Sequence, residues 1–245
     1  MTSTQTFNFT PIARIRSPYQ QKFAIPRQPN LVREARGEIV FNAGFADPNA
    51  LRALDDFSHL WLIFVFHGVI EEGWSPTVQP PRLGGKEHIG VFASRSMFRP
   101  NPIGLSVVEN LGWQQLKDQL ILRVGGLDLL DGTPILDIKP YLPYADSLPD
   151  ARAGYASEVP GSTYDIVYSE EAQEQIDALQ DDYPQLQAFI SALLKQDPRP
   201  AWRQKDADDK RYGMSLYDLN IKWRLQDASM LVLSVKKEPV KNKTS

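Results

Sequence analysis

The chain has 245 residues, 42% hydrophobic and 23% charged, enough to bury a substantial core as one large domain or as one large and one small. It contains no cysteine. That excludes a disulfide framework, a thiolate metal site and a cysteine nucleophile, and it fits a reducing compartment, so a cytoplasmic location is expected.

The net charge of −3 argues against wholesale polyanion binding, but the charge is uneven. Residues 141–182 hold ten acids against Arg152 alone, a local −9 that leaves +6 for the rest. Residues 1–37 carry Arg14, Arg16, Lys22, Arg27, Arg33 and Arg36 against Glu34. Local basic surface is one reading of this pattern, and solvated surface charge is the other.

The N-terminus has no basic segment followed by an apolar run, so no secretory signal is expected. The longest apolar stretch, residues 60–66, is too short to cross a bilayer. Short runs rich in Val, Ile, Leu and Phe at 9–15, 38–41, 60–66, 89–93, 105–111, 120–124 and 135–138 predict strands separated by Gly, Pro and Asp turns. Many short strands of this kind suggest a closed barrel or a sandwich. One helix is expected over 48–56, capped by Asp47.

Residues 140–161, with four prolines, read as an extended connector. Beyond it, Ser169 caps a helix with apolar positions Ala172, Ile176 and Leu179. A second helix begins at Tyr183-Pro184, buries Leu186, Phe189, Ile190, Leu193 and Leu194, and stops at Asp197-Pro198. Two strand-like runs are expected over 212–235, joined near 226–227, and then a loose tail. The expected organisation is a mainly β domain over 8–160 and a small α+β domain over 163–240.

Neither G-x-G-x-x-G after a strand nor G-x-x-x-x-G-K-[ST] is present, which argues against a Rossmann dehydrogenase or a P-loop enzyme. His59, His67 and His88 lack metal-ligand spacing and a nucleophilic-serine partner, so no metal site is expected. What stands out is a set of segments mixing rigid backbone with polar groups: FAIPRQPNLV (23–32), VFHG (65–68), PPRLGGKEHIGVFASRSMFRPNPIGLS (80–106) and GGLDLLDGTPILDIKPYLP (125–143). Such segments could meet at one end of a barrel and hold polar ligand groups in fixed positions.

Each has a structural alternative. Arg95 and Arg99 present forks suited to phosphate or carboxylate, or else they bond loop carbonyls. Asp128 and Asp131 could orient a ribose hydroxyl, or Asp131-Gly132 is a plain turn. His67 stands where a buried strand emerges, as a site residue or as packing. In the last third, Arg199, Arg203, Lys222 and Arg224 interleave with Trp202, Tyr217 and Trp223. That pattern suits single-stranded RNA, or else the tryptophans of a small core.

Taken together, IRSPYQQKFAIPRQPNLV, SHLWLIFVFH, PPRLGGKEHIGVFASRSMFRPNPIGLS, LDLLDGTPILDIKPYLPYADSLPDA and DPRPAWR, in this order along the chain, resemble the TrmO/TsaA-like family of tRNA methyltransferases. The resemblance implies a single-sheet β-barrel that binds S-adenosyl-L-methionine and acts as a homodimer on the tRNA anticodon stem-loop. The atom methylated would be the exocyclic nitrogen of N-threonylcarbamoyladenosine beside the anticodon. Carried over by motif, the cofactor contacts would be Pro26, Arg27, Gln28, His67, Gly68, Arg95, Leu105, Asp128, Leu129, Leu130 and Asp131.

The residues agree with such chemistry. In-line methyl transfer asks mainly for alignment and exclusion of water, so a missing cysteine or activated serine costs nothing. The accepting nitrogen is urea-like and needs a nearby proton acceptor, for which Asp131 or Asp218 are the candidates. The substrate's threonyl carboxylate needs a cation, for which Arg99, Arg199 or Arg203 are candidates. A non-catalytic RNA-binding module and a small-molecule methyltransferase remain the alternatives.

Overall fold

A computed structural model describes residues 5–159, 164–199 and 210–238. The first half forms β1 (Ala13–Arg16), β2 (Arg36–Phe41), β3 (His59–Val65), the two-residue strands β4 (Thr77–Val78) and β5 (Ile89–Gly90), β6 (Ile103–Leu116), β7 (Gln119–Gly125) and β8 (Pro134–Pro140). Six of these close a barrel in the order β1-β2-β7-β6-β3-β8, every neighbouring pair antiparallel, while β4 and β5 pair separately. This is the single-sheet barrel expected.

Side chains along a strand alternate between faces, and β3 shows it: Leu60, Leu62 and Phe64 are buried, while His59, Trp61, Ile63 and Val65 are half-exposed. With Ile15, Ile39, Val108, Leu120, Leu122 and Ile135 they fill the barrel. Each such aliphatic side chain contributes about 1.5–3 kcal/mol by leaving water.

Closure by antiparallel pairing places the connections alternately at the two ends. The turns leaving β1, β3 and β7, namely residues 17–35, 66–102 and 126–133, therefore emerge at the same end. These are the segments singled out by composition. At the opposite end lie residues 42–58 and the two-residue turn Lys117-Asp118.

Three local expectations over this half are corrected. Residues 89–93 form β5 followed by a 3-10 turn, Val91–Ala93, and the predicted helix over 48–56 is two 3-10 turns, Pro48–Leu51 and Leu54–Asp56. Ala53 between them has φ of 64°, which breaks helical continuity, although Asp47 does cap the first turn by accepting from the Asn49 N–H at 2.9 Å. Within the proposed connector lies one short helix, α1 (Pro143–Asp146).

The second half comprises β9 (Asp165–Tyr168), α2 (Glu170–Ala178), α3 (Leu186–Leu194), β10 (Arg211–Leu216), β11 (Leu219–Gln226) and β12 (Ser229–Lys237). Its sheet runs β10-β11-β12-β9, with β9 parallel to β12. Both helices fall where expected, and the Ser169 hydroxyl accepts from the Ala172 N–H at 3.1 Å. Two strands expected over 212–235 are three, because Tyr217 (φ 55°) turns the chain tightly between β10 and β11. β9 was not anticipated, its four residues being too short to show a period. The α+β character holds, and most of the tail expected to be loose lies outside the described residues.

A single apolar cluster runs through both halves. Tyr19, fully buried, bridges to Leu216, and its ring lies 6.0 Å from that of Phe189. No described helix is long and apolar enough to cross a membrane.

Candidate active site

The three connections at the upper end of the barrel are stapled to one another. Ser17 holds the 126–133 loop: its N–H donates to Asp131 Oδ1 at 2.8 Å and its hydroxyl to the Leu129 carbonyl at 2.6 Å. The Asn30 side-chain amide donates to the Val107 carbonyl at 3.0 Å, and its backbone N–H to Gly126 at 2.8 Å. Gly126 has φ of 66°, and a Cβ there would strike the Asn30 amide, so this close approach requires glycine. Lys22 Nζ donates to the Gly68 carbonyl at 3.2 Å, and Arg95 donates to Gln28 Oε1.

Between these loops lies a cavity of about 930 Å³. Its walls include Pro26, Arg27 and Gln28 from the first loop, His67, Gly68, Arg95 and Arg99 from the second, and Leu105 and Ser106 from β6. Asp128, Leu129 and Leu130 come from the third loop, and Leu193, Asp197, Arg199 and Met214 from the second half of the chain. Trp61, Tyr141 and Asp146 also line it, a group that sequence reading passed over because its members are 80 or more positions apart in part. The Trp61 indole N–H donates to Asp146 Oδ2 at 3.0 Å, and its ring lies 5.8 Å from that of Tyr141.

Asp128 is the most perturbed acid in the wall. Ser106 Oγ donates to its Oδ1 at 2.6 Å. Burial pushes its carboxyl up to about 6, against the opposing influence of the Ser106 hydroxyl, its own backbone N–H and the Arg95 charge. Arg27 lies within electrostatic reach of Asp197 and Arg82, so the first loop and the second half face each other by charge as well as by shape.

Other predicted residues stand elsewhere. Asp131 does not line the cavity: its carboxylate is bonded to the Ser17 N–H, and Gly132 beside it has φ of 75°, the geometry of a turn. Asp218 lies in the β10–β11 turn, away from the cavity, accepting from the Tyr183 hydroxyl. Neither expected proton acceptor is placed beside the other site residues. Arg99 lines the cavity but commits Nη1 to the Val91 and Ser94 carbonyls at 3.1 and 2.8 Å, the structural alternative for that arginine.

Arg199 is buried, with Nε and Nη2 each 2.8 Å from an oxygen of Asp197 and Nη2 3.1 Å from the Tyr164 hydroxyl. Its fork is thus filled by a carboxylate of the same chain, which raises its affinity for the proton above the ordinary value. Arg203 and Trp202 lie outside the described residues. Trp223 is buried and stacked on Tyr212 at 4.7 Å, and the Tyr217 ring packs 5.2 Å from Tyr183. For these two rings the core reading replaces the base-stacking one. Among the described residues no group of three His, Asp or Glu could hold a metal ion.

The fold and cavity define a single-sheet barrel protein with a cavity at one end, lined by apolar and charged side chains and bounded on one side by an α+β appendage. The model of the tRNA-methyltransferase O N-terminal domain matches residues 14–147 and that of the TrmO C-terminal domain matches 162–238. The chain belongs to the tRNA-methyltransferase O family. It is 51% identical over 230 residues to the tRNA (adenine(37)-N6)-methyltransferase of Escherichia coli, covering 94% of this chain and 98% of that one. It is 36% identical over 147 residues to a Pyrococcus abyssi protein whose name describes S-adenosyl-L-methionine binding, covering 60% and 74%. The crystal structure of TrmO from Pseudomonas aeruginosa superposes with a TM-score of 0.79 at 38% identity, covering 95% of this chain and 99% of that one.

Proposed function

We propose that this chain is a tRNA (adenine(37)-N6)-methyltransferase that takes its methyl group from S-adenosyl-L-methionine, as the names of its relatives suggest. The observation that carries this reading is the convergence of Pro26, Arg27, Gln28, His67, Gly68, Arg95, Leu105, Asp128, Leu129 and Leu130 on one cavity. Its volume lies within the range of roughly 300–1,000 Å³ usual for small-molecule sites. The donor set also fits the ligand. Arg27 and Arg95 suit its carboxylate, loop carbonyls suit its ammonium and hydroxyl groups, and Leu129, Leu130 and Phe64 offer apolar surface to its base. Bound there, S-adenosyl-L-methionine would supply a methyl carbon already activated by its sulfonium. The protein's task is then to align, to shield from water and to accept a proton.

The target in this reading is N-threonylcarbamoyladenosine in the anticodon stem-loop, and the enzyme works in the cytoplasm. With Arg199 paired to Asp197, the threonyl carboxylate falls to Arg99 or to Arg203. In this reading two copies of the chain act together as a homodimer. Sedimentation of the purified protein should give a dimer.

Nucleoside mass spectrometry on a strain lacking the gene is the decisive test. Loss of one methylated threonylcarbamoyladenosine, restored by the purified protein with S-adenosyl-L-methionine, is expected. An unchanged nucleoside profile overturns the reading.

A further inference from the structure

We infer that Asp128 accepts the proton released by the nitrogen that is methylated, with the Ser106 hydroxyl holding the carboxylate in place; the inference rests on the methyl-transfer reading above. Three carboxylates line the cavity among the described residues: Asp128, Asp146 and Asp197. Asp146 spends Oδ2 on the Trp61 indole N–H and on the Leu142 N–H, at 3.0 and 2.8 Å. Asp197 gives both oxygens to Arg199. Of the two acids with an oxygen left, Asp146 is exposed, whereas Asp128 is half-buried in the wall with Ser106 on its Oδ1.

Two rigid elements fix it. Ser106 is a buried, inward-facing residue of β6, and the loop carrying Asp128 is tied down by Ser17 through Leu129 and Asp131. The charged and titratable groups facing it are Arg95, from the loop before β6, and the hydroxyl of Tyr19, from the segment after β1.

The chemistry calls for such a group. An exocyclic nitrogen conjugated to a purine and a carbamoyl group has little nucleophilicity while it keeps its proton. Asp128 Oδ2 takes that proton as the N–H bond breaks, the nitrogen pair forms the new N–C bond, and the C–S pair leaves on sulfur. A sulfonium and a carboxylate thus become a neutral thioether and a neutral acid, and the proton then passes to water. A carboxyl pushed up to about 6 is a stronger base than an ordinary aspartate and still largely ionised near neutral pH.

The experiment compares wild type, Asp128→Asn and Ser106→Ala by the pH dependence of kcat, by calorimetric binding of S-adenosyl-L-methionine, and by carboxyl NMR titration of the ligand-free protein. Expected is a fall in kcat of roughly 10²–10⁴-fold for Asp128→Asn with cofactor affinity nearly unchanged. Wild-type kcat should rise with pH to a plateau above about 6. Removing the Ser106 hydroxyl, which favours the ionised form, should move both that limb and the NMR titration to higher pH. An Asn variant that keeps kcat and the acid limb overturns the role while leaving the functional reading intact. So does one whose cofactor affinity falls in step with its rate, because Asp128 would then be a cofactor-holding residue. A wild type that transfers no methyl group to tRNA overturns the functional reading and this role with it.

Discussion

The Tyr217 N–H donates to the Pro18 carbonyl at 2.7 Å, joining the turn between β10 and β11 to the segment leaving β1. Beside it Tyr19 bridges to Leu216, so the two halves of the chain meet at a backbone seam. The cavity lies across that junction, drawing Leu193, Asp197, Arg199 and Met214 from one side and the barrel loops from the other. Mutations at the seam therefore act on stability and on the site together.

Tyr19 is fully buried, and its hydroxyl has no hydrogen-bond partner among the described residues. Burial raises its proton affinity well above the ordinary tyrosine value, so it stays neutral. Tyr19→Phe should be neutral or stabilising by up to about 1 kcal/mol, because an unsatisfied polar atom is removed without loss of volume. Tyr19→Ala should cost about 3–5 kcal/mol by opening a cavity. Urea denaturation of both variants checks the opposite signs.

Gly104 of β6 lies beneath the ring of Phe64, and a Cβ at that position would run into the ring. Phe64 is buried and itself in edge contact with Phe66 at 5.2 Å, so the ring has little freedom to yield. Gly104→Ala should destabilise by about 1–3 kcal/mol. Since Gly104 and Phe64 both line the cavity, cofactor affinity should fall with it, as calorimetry would show.

Arg199→Ala removes the two-pronged, buried contact to Asp197 within the second half of the chain, which should cost about 3–5 kcal/mol. Arg199→Lys keeps the charge but loses the two-pronged contact, and should recover only part of that. If Arg199 instead meets the substrate carboxylate, the Ala variant will unfold like wild type and lose activity only on substrate carrying that carboxylate. Denaturation midpoints beside turnover separate the two outcomes.

Asp128 makes stability depend on pH. Its folded carboxyl titrates at about 6 rather than at the ordinary 3.8, so between these values the folded state binds more protons than the unfolded one. Stability thus falls as pH rises through this window, and the full cost, on the order of 2–3 kcal/mol, is present above it. Asp128→Asn should be more stable than wild type at pH 8, with the gap closing towards pH 4. A gap independent of pH would show that the carboxyl is not so perturbed.

The barrel strands were legible because period-two burial leaves its mark in any run such as residues 60–66, and the helices after Ser169 and Pro184 because caps and 3.6-residue spacing are local. Shorter elements were not: β9 has four residues, and the 48–56 segment is broken by the backbone of Ala53, which no composition reveals.

By itself, the sequence determined which segments carry the polar groups of the site and their family, since rigid Gly-Pro loops and their spacing are written along the chain. Only the tertiary structure decided which acid faces the cavity. Asp128 and Asp131 are three positions apart on one loop, yet the Ser17 N–H holds Asp131 as part of a turn while Ser106, 22 residues from Asp128, holds Asp128 in the cavity wall. Arg199 was likewise a free-looking arginine until Asp197 and Tyr164 were seen to fill its fork. Residue type states what a group can do, whereas the partners that use up its hydrogen-bonding capacity come from strands and loops distant in the chain.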